Sequence, residues 1–164
     1  MNRSCFAVLC VVCLLFLSAL ARGQEDSKVT IKQGATGHVR FWEGDFMPRV
    51  VAPGSVPVPS GSLTPVVREI FFYQAVRWPE LKGKEKGTAP FYEEPGIKLV
   101  KKVTSDADGF FQVELPAGKY SVFIKEDQGY YASRGDGRGF VNPVEITEGK
   151  ITKLALDIKY KSVW

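Results

Sequence analysis

The chain has 164 residues with one histidine and three cysteines, and its 22 Lys and Arg against 18 Asp and Glu leave a formal charge of +4. That length suits one ordinary domain with an adequate core. With no Lys/Arg run longer than Lys101-Lys102, the chain lacks the basic stripe that a nucleic-acid partner requires.

A Ser/His/Asp set, a zinc-peptidase site or a His-rich iron centre would have to be built on His38 alone, on a strand. The chain is therefore expected to be non-catalytic, with no cofactor and no metal, which leaves carboxylate or arginine chemistry open. Residues 1–21 carry an early Arg3, an apolar run from Phe6 to Leu17 and then Ala19-Leu20-Ala21, the layout of a cleavable secretory signal. The run is shorter than the ~20 apolar residues that cross a bilayer comfortably. Cleavage near Ala21 and a secreted or periplasmic location are expected, with no membrane contact beyond the signal. Neither Leu9-Cys10 nor Val12-Cys13 puts a small residue directly before the thiol, so no lipid anchor is expected. Cys5, Cys10 and Cys13 all fall inside the signal, which leaves the remainder without a disulfide or a zinc–thiolate site. Residues 22–34 read as a short polar tether and residues 35–164 as a single domain.

Along that domain, Val39 and Phe41 alternate with His38, Arg40 and Trp42 as a first strand. Between Phe46 and Thr64 the density of Pro48, Pro53, Gly54, Pro57, Pro59 and Gly61 forbids helix and central strand alike, so this is a long loop, with Val50, Val51, Val56 and Val58 as packing candidates. Residues 66–76 are apolar on both alternating sets, Val67, Phe71, Tyr73 and Ala75 on one and Ile70, Phe72 and Val76 on the other. Such a strand is covered on both sides, with an insertion as the expected cover. Residues 77–95 form a second insertion with Trp78-Pro79 and Phe91-Tyr92 as aromatic anchors, and residues 97–103 resume as a strand.

Asp108-Gly109 is a tight-turn dipeptide, because Gly accepts a positive φ and Asp can bond its own backbone. After it Phe111, Val113 and Leu115 alternate with Gln112 and Glu114. Pro116-Ala117-Gly118 then turns the chain, and Tyr120, Val122 and Ile124 oppose Lys119, Ser121 and Lys125, so a β-meander is expected here. The spacing of Leu115, Gly118 and Tyr120 matches the sandwich corner in which a Tyr hydroxyl returns to backbone a few residues upstream. Residues 134–139 alternate glycine with charge as a mobile loop, and Phe140 to Ile146 reads as an edge strand because of Pro143. Leu154, Leu156 and Ile158 against Lys153, Asp157 and Lys159 make the last strand, ahead of the terminal Trp164. The fold expected is an all-β, Ig-like Greek-key sandwich of about seven strands with two long loop insertions.

Taken together, Thr104-Ser105-Asp106-Ala107-Asp108-Gly109-Phe110-Phe111, Leu115-Pro116-Ala117-Gly118-Lys119-Tyr120 and Gly129-Tyr130 resemble the carboxypeptidase regulatory-like domain family. The likeness extends back to Gly37-His38-Val39 with Gly44 and Pro48, and forward through residues 144–158. It implies a prealbumin-like sandwich acting as a non-catalytic accessory module of exported proteins, and no peptidase activity. Transthyretin-like hydrolases of similar fold end in Tyr-Arg-Gly-Ser, whereas this chain ends Tyr160-Lys161-Ser162-Val163-Trp164, which weakens that enzyme reading.

Asp106 and Asp108 before Gly109 could converge on calcium, but an EF-hand template finds Thr104 and Leu115 at its first and twelfth positions, so a turn is the simpler reading. Arg134-Gly135-Asp136 matches an adhesion tripeptide that a Gly-rich loop explains as well. Trp42, Trp78, Tyr92, Tyr130 and Tyr131, together with Phe46 and Phe91, lie at strand ends or in loops. They either contact a ligand or pack as a second core beneath the insertions. The expected partner is another exported or envelope protein; the alternative is a glycan stacked on Trp42, Trp78, Tyr92, Tyr130 and Tyr131.

Overall fold

The alternation of apolar and polar residues resolves into ten strands in two sheets, in a computed structural model that describes residues 28–47, 54, 60–87 and 90–164. The signal-like residues 1–21, residues 22–27 of the expected tether, and Val50, Val51, Val56 and Val58 lie outside the described residues. The strands are β1 (Gly34–Asp45), β2 (Ser62–Pro65), β3 (Glu69–Gln74), β4 (Phe91–Tyr92), β5 (Leu99–Thr104), β6 (Phe110–Glu114), β7 (Gly118–Glu126), β8 (Gly129–Tyr131), β9 (Pro143–Ile146) and β10 (Ile151–Val163). The three beyond the expected seven are the short β2, β4 and β8. Gln33, assigned to the tether, already belongs to the folded unit, since its amide bonds the Leu115 carbonyl and the Gly149 N–H at 3.0 and 2.8 Å.

In the first sheet β1 is central. β10 runs parallel to it along one edge, while on the other edge β6 pairs with its first half and β2 with its second. The second sheet has the order β4-β8-β7-β3-β5, and β9 shares with β8 the outer edge of β7. The expected meander is therefore corrected: β5 and β7 both flank β3, while β6 between them has crossed to the other sheet. A tight turn fixes that the chain reverses, not which sheet it re-enters. Here Asp106 Oδ1 accepts the N–H groups of Asp108 and Phe110 at 2.9 Å each, and the Gly109 carbonyl accepts Val39 N–H at 2.8 Å, so the turn docks on β1. Gly109 has φ +74°, and a Cβ there would press on the Val39 carbonyl. At the opposite end of β6 the Tyr120 hydroxyl donates to the Pro116 carbonyl at 2.8 Å, the bond expected from the Leu115/Gly118/Tyr120 spacing.

The inner core joins Val39, Phe41, Ile70, Phe72, Phe111, Val122, Ile124 and Ile158. β3 is covered on its other face too: Phe71 and Tyr73 pack with Leu81, Tyr92, Phe123, Ala132 and Val141 in an outer cluster closed by the second insertion. Val76, expected beside Ile70 and Phe72, lies beyond the end of β3 and joins that outer cluster, and Val67 is 51% exposed. In β5 Val100 and Val103 both pack inward, although three apart, because a register shift at Phe72/Tyr73 leaves Val100 as an extra residue. Pro143 opens β9 at the sheet edge, where no ladder N–H is required of it.

One buried acid links the sheets. The Glu126 carboxylate, at the end of β7, accepts Arg68 Nε at 2.6 Å and the Tyr160 hydroxyl of β10 at 2.9 Å. Burial, then the bond to Glu126 and its charge, push the Tyr160 hydroxyl up to about 12.

Candidate binding flank

β10 is the edge of its sheet, so one side of its backbone has no ladder partner. In a parallel pair, alternate residues turn both main-chain groups toward the neighbour and those between turn both away. The Leu154 carbonyl faces Gly37 of β1 so closely that a Cβ at Gly37 would collide with it. The odd-numbered residues accordingly face outward: Lys159 N–H donates to the Tyr131 hydroxyl at 3.0 Å, and Arg134 Nη1 reaches the Ala155 carbonyl at 3.5 Å. Thr152 Oγ1 donates to the Glu145 carbonyl at 2.9 Å. The edge is thus tied to the opposite sheet at Thr152 and Lys159, with roughly 23 Å of strand between at ~3.3 Å per residue. Within that window the N–H groups of Ala155 and Asp157 have no partner among the described residues.

Behind the window is a cleft of about 380 Å³, floored by Val122, Ile124, Leu154 and Leu156. Leu154 and Leu156 point inward in phase with Ile158, yet Ile158 is fully buried and these two are half-buried. The difference is the missing cover at the flank. On the other side of the cleft the edge of β7 between β8 and β9 is filled by Asn142, whose carbonyl accepts Val122 N–H at 3.1 Å and whose amide donates to the Val122 carbonyl at 3.0 Å. This places Asn142 at φ 37°.

The rim carries charge of both signs, but the acids are engaged. Asp157 Oδ1 takes Arg40 Nη2 and Nε at 2.9 and 3.0 Å. Asp136 Oδ1 takes the N–H groups of Arg138 and Phe140 at 2.8 and 3.1 Å. Arg134, whose N–H donates to Asn142 Oδ1 at 2.7 Å, has no carboxylate at ion-pair distance among the described residues. The glycine-rich loop of residues 134–139 is thus hydrogen-bonded at Arg134 and Asp136. The side chain of Asp136 in Arg134-Gly135-Asp136 is turned onto its own backbone.

The five aromatic candidates do not form one surface. Trp42 packs with Phe46 and Trp164 at 4.9 and 5.1 Å, and Lys159 Nζ sits 4.5 Å from the Trp42 and Trp164 rings. Phe46 and Trp164 stack on each other at an interplanar angle of 14°, which covers one face of each ring, while Trp164 stays 58% exposed. Trp78, Tyr92 and Tyr130 belong to the outer face of the second sheet, where Tyr92 is 3% exposed and Tyr130 stands edge-on to Phe71 and Tyr73. Burial pushes the Tyr92 and Tyr73 hydroxyls up. Tyr131 faces the other way, into the sandwich against Phe91 and Tyr160. Trp164 and the pair Leu154 and Leu156 were not singled out as contacts from the sequence; the terminal position of Trp164 was the available signal, while the leucines look like ordinary core. Among the described residues no group of three His, Cys, Asp or Glu side chains could hold a metal ion. No family model, no curated protein and no solved structure matches the chain.

Proposed function

We propose that the chain is an exported, non-catalytic β-sandwich module, akin to carboxypeptidase regulatory-like domains, that binds a protein partner outside the cytoplasm through the open flank of β10. The observation that carries the reading is the window at Ala155 and Asp157, unpaired main chain above half-buried Leu154 and Leu156. Exposed strand edges are templates for another chain. The signal-like residues 1–21 support export, and the Asp106–Gly109 and Tyr120–Pro116 corners support the family likeness. The glycan alternative has less behind it, because Tyr92 and Tyr131 are buried and the candidate rings are divided among separate faces.

A photo-crosslinking residue at Ala155, compared with one at the exposed Lys101 of β5, tests the reading in the exported fraction. A protein adduct that depends on the Ala155 position is expected; identical adducts from both positions, or none from Ala155, would refute it.

A further inference from the structure

We infer that a pocket beside the second half of β10 binds a small organic oxyanion, a carboxylate or phosphate ester carried on an apolar body. This goes beyond the strand-edge reading, because it uses side chains and not the unpaired main chain of Ala155 and Asp157.

The pocket has a volume of about 520 Å³. Ligand pockets run roughly 300–1,000 Å³, whereas a bare ion needs little more than the ~30 Å³ that one water occupies. The space therefore suits an anion with an organic body. One wall offers that body apolar surface: Pro90, the exposed Trp164, and the ring of Tyr160, whose hydroxyl is already spent on Glu126.

The remaining wall carries donors and positive charge. Arg134 is exposed and has no carboxylate at ion-pair distance among the described residues; its Nη1 reaches only the Ala155 carbonyl, at the 3.5 Å limit of a hydrogen bond, so most of its fork is available to a carboxylate or phosphate. Lys159 Nζ lies 4.5 Å from the Trp42 and Trp164 rings, whose faces attract an ammonium without neutralising it. Lys159 likewise has no carboxylate at ion-pair distance among the described residues. Asp157 is the one acid in the lining, and it takes both Nη2 and Nε of Arg40 at 2.9 and 3.0 Å. That pair is neutral as a unit, which leaves Arg134 and Lys159 in excess. Between them stands Tyr131, 2% exposed, whose hydroxyl accepts Lys159 N–H at 3.0 Å while its own proton has no acceptor among the described residues. A buried donor left unpaired is costly, and an oxyanion supplies the missing acceptor together with the missing negative charge. A cationic ligand would meet two like charges, and a neutral one would leave both without a counter-ion.

The test follows amide chemical shifts of the full chain from the exported fraction as benzoate, phenyl phosphate, benzyl alcohol, benzylamine or inorganic phosphate is added. Benzoate or phenyl phosphate is expected to shift the Tyr131, Arg134 and Lys159 amides and to bind about tenfold tighter than benzyl alcohol, the sum of two exposed ion pairs. The tighter of the two anions assigns the headgroup. Added salt should shrink the preference, since the cations are partly exposed. Arg134→Gln should weaken the anion several-fold, and Arg134→Gln with Lys159→Gln should leave it no tighter than benzyl alcohol, whereas Lys101→Gln on the exposed face of β5 should change nothing. If the double variant misfolds, Arg134→Gln, at an exposed position, carries the test. Equal binding of the anions, benzyl alcohol and benzylamine would overturn the inference, as would no response of these amides to any probe. Inorganic phosphate binding as tightly as phenyl phosphate would overturn it too, in favour of an adventitious ion only. None of these outcomes alters the crosslink at Ala155, so the two readings fail separately.

Discussion

The second insertion contributes a single one-turn helix, Trp78–Leu81, and Leu81 is its buried residue at 0% exposure, packed in the outer cluster with Phe71, Tyr73 and Phe123. Leu81→Ala removes three carbons from that cluster. At ~0.8 kcal/mol for each buried carbon the transfer loss is about 2.4 kcal/mol, and the unfilled space raises the total to roughly 3–4 kcal/mol. For a domain of this size that lowers the melting temperature by roughly 12–16 °C. Urea unfolding followed by both far-ultraviolet circular dichroism and tryptophan fluorescence measures it, with Leu99→Ala as control. Leu99 is 43% exposed on β5, so its truncation should stay within about 0.5 kcal/mol. A Leu81→Ala loss below about 1 kcal/mol would refute the reasoning. It would mean that the outer cluster opens independently and that the insertion lies outside the cooperative core.

Three further outcomes are expected. Gly109→Ala forces a side chain into φ +74° against the Val39 carbonyl and should cost at least about 2 kcal/mol in urea titration; a near-neutral result would mean that the turn can leave β1. Tyr120→Phe loses the bond to Pro116 and should cost about 1 kcal/mol with an unchanged denaturant slope, so a shift in slope would count against a purely local role. Because the Tyr160 hydroxyl is raised to about 12 in the fold from an ordinary 10.0, its contribution is complete below pH 10 and is lost as pH rises through 12. Urea midpoints measured across that window should fall less steeply in Tyr160→Phe than in the parent chain, and equal slopes would show that Tyr160 is not a principal alkaline sensor.

How much of this could be read in the chain depends on the range over which each feature is determined. Period-two patterns and turn residues act within a few positions, so seven of the strands, the two-sided burial of Phe71 and Phe72, and the Tyr120 bond were all legible. The route of β6 was not: Phe111, Val113 and Leu115 read the same whether they pair with a hairpin partner or cross to cover β1. Nor does any local pattern announce that Gly34 will lie beside Ile151. β4 and β8 are too short for alternation to register, and β2, no shorter than β9, is exposed at every residue and so has no alternation to read. At the flank, Leu154 and Leu156 carry the signature of core residues, and only the absence of a strand beyond β10 leaves them half-covered. The aromatic candidates were individually noticeable, but their division among the Trp42 end, the outer face and the interior follows from which face of which strand each occupies.

The parallel pairing of β1 with β10 bears on how the domain would carry a mechanical load. Gly34 lies beside Ile151 at one end of the pair and Asp45 beside Val163 at the other. Tension applied between the start of β1 and the end of β10 therefore pulls the two strands lengthwise past each other. All eleven paired positions resist together, interrupted only by the irregularity at Phe41/Glu43, instead of peeling apart one rung at a time. A module held at its N-terminal side and pulled from its C-terminal side would meet that force in shear, the direction in which a β-ladder yields last.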